Sequence, residues 1–419
     1  MEPLISRRNF VVGASLAGAA WLTPISEILA RADDDNPRRE PAQSVILLWL
    51  GGGPSQLETF DPHPGTAIAG DTRAVDTAVR GIQFADTYPL LAEQMESLAV
   101  IRSVMSREGD HERGTYTVKT GHRPDPTVVH PSIGAICAHQ LAIAGTEIPR
   151  HISIIPNQWP GRGGFLGDPF DAFRTGDPLQ RVPDVTSRVS SERDVQRSRD
   201  LAVVEGAFAQ RRRGRVEATQ HQATMNRARA MMTSEQLQAF DVSRESARLR
   251  GAYGDTAFGR GCLAARRLIE VGVRCVEVTL SGWDTHADNH EGCRTQAAIL
   301  DPAFAGLIRD LKERQLLRRT VVICAGEFGR TPTINRLGGR DHWPNGFSVI
   351  LAGGGLRGGL AIGATDPEGR REPTDPVNIE DIHATVMSAL GIEYGRLMQT
   401  PIGRTVRFSE GTPIRRLIG

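Results

Sequence analysis

The chain carries five cysteines, Cys137, Cys262, Cys275, Cys293 and Cys324, and no two of them form a C-x-x-C pair. That scatter excludes a structural zinc knot and argues against a disulfide scaffold. Most of the five read as small buried side chains, with one or two disulfides left open outside the cytoplasm. An excess of one charge is missing as well. The 50 basic and 49 acidic residues give a net charge of +1, which leaves no electrostatic footprint for nucleic acid. Beyond the N-terminal region no apolar stretch is long enough to span a bilayer. There is no regular internal repeat and no low-complexity tract, which sets repeat architectures aside.

What is present begins with residues 1–32. Ser6-Arg7-Arg8-Asn9-Phe10-Val11 matches a twin-arginine motif, an uncharged small and apolar stretch runs from Val11 to Leu22, and Ala30-Arg31-Ala32 supplies an A-x-A cleavage site. This order is that of a signal peptide; the apolar run is too short for a membrane span. The expected location is therefore the periplasm or cell envelope, reached by a route that carries folded proteins and often metalloproteins. Residues 33–43, charged and with two prolines, read as a linker. Residues 44–419 are ample for one large domain with a sizeable core.

Ser44 to Leu50 is an almost continuous apolar run that stops at Gly51-Gly52-Gly53-Pro54. Such a run bounded by glycines predicts a buried parallel strand entering a loop. Leu98–Val104, Ile152–Ile155, Val273–Leu280, Thr320–Ala325 and Phe347–Leu351 read as further strands. Cys262–Glu270 and Ile379–Leu390 read as helices, and Leu300, Phe304, Leu307, Ile308 and Leu311 share one helical face. Helices alternating with apolar strands predict an α/β fold, a doubly wound and mostly parallel sheet with helices on both faces. Residues 185–255, rich in Arg, Ala, Gln and Glu, predict a helical insertion with helices over Leu201–Met232 and Ser234–Arg250. Arg211-Arg212-Arg213 reads as a solvated helix face.

Polar groups gather after the strands, where open parallel sheets bind ligands. They are Asp284 and His286, then Glu327, then Asp341 and His342, with Asp61 and His63 after the first strand and Asp110-His111 after the second. Mixed carboxylates and imidazoles suit zinc, manganese, magnesium or calcium. Held on separate rigid strands, they supply what metal-assisted hydrolysis needs. Each group also has an ordinary structural reading. Asp-x-His can cap its own loop, His342 beside Trp343 can be a packed core group, and Glu327 and Arg330 can be a local ion pair.

Gly282-Trp283-Asp284-Thr285-His286, Glu327-Phe328-Gly329-Arg330-Thr331, Gly339-Arg340-Asp341-His342-Trp343-Pro344 and Leu351-Ala352-Gly353-Gly354-Gly355 occur in this order. With the twin-arginine tag they resemble the family catalogued as domain of unknown function fifteen-oh-one, over nearly the whole chain after the tag. That family is similar in fold to the alkaline phosphatase and sulfatase superfamily. Asp381-Ile382-His383-Ala384-Thr385 with Leu390-Gly391-Ile392 resembles the terminal sulfatase helix. Lys119-Thr120-Gly121-His122-Arg123-Pro124 resembles the end of the superfamily's nucleophile helix.

The resemblance implies an alkaline-phosphatase-like fold and metal-dependent hydrolysis of a phosphate or sulfate ester. Asp284, His286, Glu327, Asp341 and His342 would hold the metal, and Arg330 or Arg113 would steady an anionic substrate. Counting back from Thr120 puts His111 at the nucleophile position, where the superfamily has Ser, Thr or modified Cys. His111 would then be a metal ligand or a general base for water; Thr115 and Ser132 are nearby hydroxyls. Gly51-Gly52-Gly53 stands where the superfamily has an aspartate ligand, and Glu58 or Asp61 are candidate substitutes. The substrate class is an anionic ester, extending to a sulfated or phosphorylated polysaccharide chosen by the helical insertion acting as a cap. The alternative is a catalytically inactive binding or assembly module of the cell envelope.

Overall fold

Alternate residues of Ser44–Gly51 (β1) pack on opposite faces of a sheet, Ile46, Leu48 and Leu50 on one and Val45, Leu47 and Trp49 on the other. A strand hidden on both faces has to be apolar throughout, which accounts for the unbroken run. In this computed structural model, which describes residues 40–142, 145–211, 221–369 and 371–418, β1 is central in a nine-stranded sheet. The other strands are Leu98–Met105 (β2), His151–Ile154 (β3), Phe173–Thr175 (β4), Cys275–Ser281 (β5), Thr320–Ala325 (β6), Phe347–Gly353 (β7), Leu360–Ile362 (β8) and Val377–Asn378 (β9). Their order is β8-β2-β7-β6-β1-β5-β3-β4, with β9 on the edge of β2. All neighbours are parallel except β7, which runs antiparallel to both β2 and β6. The expected α/β class and mostly parallel sheet are observed. Residues 1–39, with the twin-arginine motif and most of the linker, lie outside the described residues.

Helices cover both faces. Ala257–Glu270 and Asn289–Glu313 pack with Ile46, Leu48 and Leu50, and the run Leu300, Phe304, Leu307, Ile308 and Leu311 is fully buried there. The other face is covered by helices that include Ile133–Gln140 and Ile379–Ala389. Burying each such Leu, Ile or Phe is worth about 1.5–3 kcal/mol, so the core on either side is a main source of stability. His111–Thr120 (α1) follows β2. Asp110 caps its start by accepting from the Arg113 amide at 3.0 Å, and Gly121 ends it in the left-handed conformation at φ 75°. A Cβ on Gly121 would lie 2.7 Å from the His383 ring, and the Nε2–H of His383 donates to the Val118 carbonyl at 2.8 Å. The two superfamily-like motifs around Gly121 and His383 thus serve to dock one helix on another.

The helical insertion is less continuous than expected. Helices span Ser191–Arg211 and His221–Thr233, and residues 212–220 and the side chains of Arg211-Arg212-Arg213 lie outside the described residues. Ser234–Arg250 is not one helix. Ser234 and Asp241 each cap a 3-10 turn, at Glu235–Phe240 and Val242–Arg244, before a short helix at Ala247–Ala252. Ser and Asp side chains that bond the nearby backbone favour such starts over helix interiors. All five cysteines are free and buried. Among the described residues no helix is long and apolar enough to cross a membrane.

Candidate metal centre

Four loops leave the same edge of the sheet. The loop after β2 leads into α1 and sets His111 at its first turn. The loop after β5 carries Asp284 and His286, and the loop after β6 carries Glu327. His342 arrives from a two-residue ribbon, His342–Trp343 paired antiparallel with Gly329–Arg330. After β1 comes Gly52, at φ 117°, where a Cβ would stand 2.4 Å from the Asp284 amide nitrogen. The glycine lets the backbone of the first strand press directly against the Asp284 loop.

These loops bring His111, Asp284, His286, Glu327, Arg330, Asp341 and His342 together. Asp284 is the hub. Its Oδ1 lies 3.2 Å from His286 Nε2 and 3.3 Å from His342 Nε2, and its Oδ2 lies 3.3 Å from His111 Nε2. His286 Nε2 and His342 Nε2 are 3.0 Å apart. The opposite nitrogen of each ring meets an acceptor. His342 Nδ1 donates to the Gly109 carbonyl at 2.7 Å, His286 Nδ1 donates to Asp341 Oδ1 at 3.0 Å, and His111 Nδ1 donates to Glu327 Oε1 at 2.8 Å. A carbonyl or carboxylate takes a proton from Nδ1, so each neutral imidazole turns an Nε2 lone pair toward Asp284. Three lone pairs and a carboxylate converging this way favour a cation among them, in addition to the Arg330 guanidinium that already meets Asp284 Oδ1 at 2.6 Å.

The donors fit a divalent metal. Ligand atoms about 2.0–2.1 Å from a tetrahedral zinc lie about 3.4 Å apart, and Asp284 Oδ1, His286 Nε2 and His342 Nε2 are separated by 3.0 to 3.3 Å. His111, Asp284 and His342 likewise offer donor atoms all within 4.8 Å of one another. Acceptors behind the ring fix the tautomer of a metal-binding histidine. Glu327 and Asp341 were expected as ligands. In the structure Glu327 Oε1 and Asp341 Oδ1 stand behind the imidazoles, 2.8 Å from His111 Nδ1 and 3.0 Å from His286 Nδ1. Glu327 Oε1 also accepts from the Gly52 amide at 2.8 Å, while its Oε2 is buried without a hydrogen-bond partner.

Arg330 corrects the sequence reading more sharply. It was expected to face an anionic substrate, yet it is 0 % exposed. Its Nε donates to the Gly53 carbonyl and its Nη1 to the Arg340 carbonyl; its Nη2 reaches the Gly52 and Trp283 carbonyls and, at 2.6 Å, Asp284 Oδ1. A planar guanidinium with five donors can tie three loops into one unit, and here all three of its nitrogens are engaged within the protein. Arg113 pairs with Glu108 at 2.7 Å on the surface. Glu58 and Asp61 do not replace the missing first-strand aspartate. Glu58 is buried against Arg340 at 2.7 Å, and Asp61 accepts from the Thr365 amide. Thr115 is buried with its hydroxyl unpartnered, and Ser132 caps the helix Ile133–Gln140. The buried Phe328 packs against the rings of His111 and His342, with centroids 5.1 and 4.3 Å away. Nothing in the sequence singled it out except its place beside Glu327.

The charges follow this layout. Burial pushes the Asp284 carboxyl up, but Arg330, His342 and His111 outweigh it and bring it down to about 2. Glu327 raises His111 above the usual imidazole range, against the effect of burial. Burial lowers His342, with Arg330 and His111 adding to it. The hydrogen bond from His286 lowers Asp341. Side-chain exposure runs from 60 % at Asp341 to 2 % at Glu327, so the cluster is open to solvent at Asp341, Asp284 and His286 and closed at Glu327.

Fold and site together define an α/β protein with an Asp–His cluster at the carboxyl edge of its sheet. Residues 42–418 match the family described as protein of unknown function (DUF1501), and the chain belongs to that family. No curated protein matches the sequence at a significant level. Among solved structures the chain is similar to the lipoteichoic acid synthase LtaP from Listeria monocytogenes, at 12 % identity and a TM-score of 0.42, over 91 % of this chain and 78 % of that one. It is also similar to the C-terminal periplasmic domain of EcEptC from Escherichia coli, in complex with Zn, at 11 % identity and TM-score 0.37, over 90 % and 95 %. Alkaline phosphatase from the Antarctic bacterium TAB5 is a third, at 12 % identity and TM-score 0.38, over 85 % and 100 %. Likeness at this level does not define an activity.

Proposed function

We propose that the chain is an exported, metal-dependent hydrolase of phosphate or sulfate esters. One observation carries the reading: the Nε2 atoms of His111, His286 and His342 converge on Asp284, with an acceptor behind every ring. Asp284, His286 and His342 would hold a divalent ion, with zinc, calcium, manganese and magnesium all compatible with the donor types. A bound ion would polarise the ester and neutralise its charge. His111, oriented by Glu327, presents Nε2 beside this set and acts as an additional ligand or as the base that takes a proton from water. Asp341 and the Gly109 carbonyl hold the other two imidazoles in their tautomers. Arg330 anchors Asp284 and is a positioning residue. Export rests on the Ser6–Val11 motif and the Ala30-Arg31-Ala32 site.

Metal analysis of the purified protein tests the first half. About one equivalent of divalent ion is expected, lost in Asp284→Asn and His342→Ala; a wild-type protein with no affinity for divalent ions ends the proposal. A panel of phosphate, phosphonate and sulfate esters tests the second. The second reading, a binding module of the envelope, is favoured by an imidazole standing where the superfamily has a hydroxyl or thiol nucleophile. It expects metal without turnover on the whole panel, and turnover abolished by His111→Ala excludes it.

A further inference from the structure

A cavity of about 410 Å³ lies at the opposite edge of the sheet from the metal cluster. It opens between the insertion helix His221–Thr233 and the segments flanking β3 and β4. Its walls include Pro149, Phe170, Phe173 and Met231, and two guanidiniums, Arg150 and Arg227, line it. Arg150 is rigidly rooted. Its backbone carbonyl accepts from the amides of Arg274 and Cys275, both at 2.9 Å, where β3 and β5 begin. Asp284 lies beyond the far end of β5, so the two places are separated by the length of the sheet.

Neither guanidinium has a hydrogen bond or ion pair from its side chain among the described residues. Arg150 is half-buried, and burial together with the nearby charges of Arg227 and Arg274 holds it below the usual arginine range. Two acids also line the cavity but do not answer this charge. Asp171 Oδ1 accepts from the Gly163 amide at 2.6 Å, and Glu147 is exposed; neither lies within 4.0 Å of Arg150 or Arg227. Like charges gathered around a mostly apolar recess repel one another unless an anion comes between them. Guanidinium forks fit tetrahedral oxyanions and carboxylates, and a recess of this volume matches small-molecule sites.

We propose that this cavity is a second binding site, remote from the metal cluster, for a small anionic organic molecule about the size of a mono- or disaccharide. Its oxyanion lies between Arg150 and Arg227, and its body packs on Pro149, Phe170 and Phe173. On this assignment the helix His221–Thr233 closes a distal pocket instead of capping the metal cluster. The site stands whether or not the cluster is catalytic.

Calorimetry on the purified full chain tests it, with glucose 6-phosphate, glucose 6-sulfate, glucuronate, uncharged glucose and inorganic phosphate and sulfate as probes. Each is titrated into wild type, Arg150→Ala, Arg227→Ala, Arg227→Glu and Asp284→Asn. At least one anionic sugar is expected to bind, at least tenfold more tightly than glucose. Affinity should fall at least tenfold in each arginine variant, most in Arg227→Glu, and stay unchanged in Asp284→Asn. The three sugar anions distinguish phosphate, sulfate and carboxylate as the charge; equal affinity for the inorganic ions identifies a free oxyanion and overturns the organic ligand. Binding lost in Asp284→Asn but kept in the arginine variants assigns it to the cluster and overturns the proposal, as does the absence of binding by every probe. Arg227 is exposed on a helix face, so its variants remain informative even if Arg150→Ala unfolds the protein.

Discussion

Glu327 holds the Nδ1 edge of His111 through a 2.8 Å hydrogen bond while its own second oxygen is buried and unpartnered. The carboxylate is thereby committed to one imidazole and one backbone amide, that of Gly52. It is a positioning group for the cluster, and its hydrogen bond, together with its charge and that of Asp284, raises His111.

Replacing Glu327 by Gln keeps the shape and an acceptor for the Gly52 amide but removes the charge. Substitution of such an outer partner costs about 10–100-fold in metal affinity. The same loss is expected here, read by competition with a chromophoric chelator, with the thermal midpoint of the metal-free protein nearly unchanged. Unaltered affinity would show that His111 contributes nothing to the ion.

Gly52 is expected to be intolerant of any side chain. At φ 117° an L-residue is strained by about 1–3 kcal/mol, and the added Cβ meets the Asp284 amide at 2.4 Å and the Trp283 backbone at 2.8 Å. Gly52→Ala should therefore lower stability by about that much or more in urea denaturation and weaken metal binding as Asp284 is displaced. Gly206, inside the helix Ser191–Arg211 with open space around it, is the control. There the same change should stabilise by about 0.5–1 kcal/mol.

Much of this arrangement was legible beforehand because burial on both faces leaves a strong trace. The runs Ser44–Leu50 and Thr320–Ala325 are apolar for that reason, and the polar groups that follow them mark the ligand-binding edge. Direction was not legible: β7 has the same apolar composition as its neighbours, and nothing in Phe347–Gly353 encodes that it runs backwards. Residue types placed Asp284, His286 and His342 in one cluster. Which ring nitrogen each acid meets depends on loop geometry, so Glu327 and Asp341 could not be told from ligands. Arg330 was misread for a related reason. An arginine next to a cluster of acids looks the same in sequence whether it faces solvent or is sealed beneath Gly52, Gly53 and Trp283.

Sealed in that way, Arg330 should govern stability before it governs substrate affinity. Lys cannot reproduce its fork of donors to the Gly53, Arg340, Gly52 and Trp283 carbonyls and to Asp284. Each buried carbonyl left without its donor costs about 1–3 kcal/mol. Arg330→Lys is expected to lose that much in chemical denaturation. A variant of wild-type stability with a raised KM for an anionic ester would instead return Arg330 to the substrate.

His383 links the fold to pH. It is enclosed between α1 and the helix Ile379–Ala389, donating from Nε2 to the Val118 carbonyl, with Nδ1 buried and unpartnered. Burial, with a smaller contribution from His122, holds it down to about 4. The unfolded chain protonates this ring near pH 6.5, whereas the fold keeps it neutral down to about 4. Its contribution to stability is therefore complete above about pH 6.5, declines as pH falls between 6.5 and 4, and levels off below that. At about 1.4 kcal/mol per pKa unit the loss is on the order of 3 kcal/mol. Urea denaturation of wild type and His383→Gln at pH 7.5 and 4.5 measures it. The variant keeps an N–H for Val118 and has no titrating group, so its stability should fall by less over the same interval. An identical fall in both proteins would assign the acid sensitivity to other groups, His130 first among them, since it too is lowered to about 4, by burial and by its stack on His122.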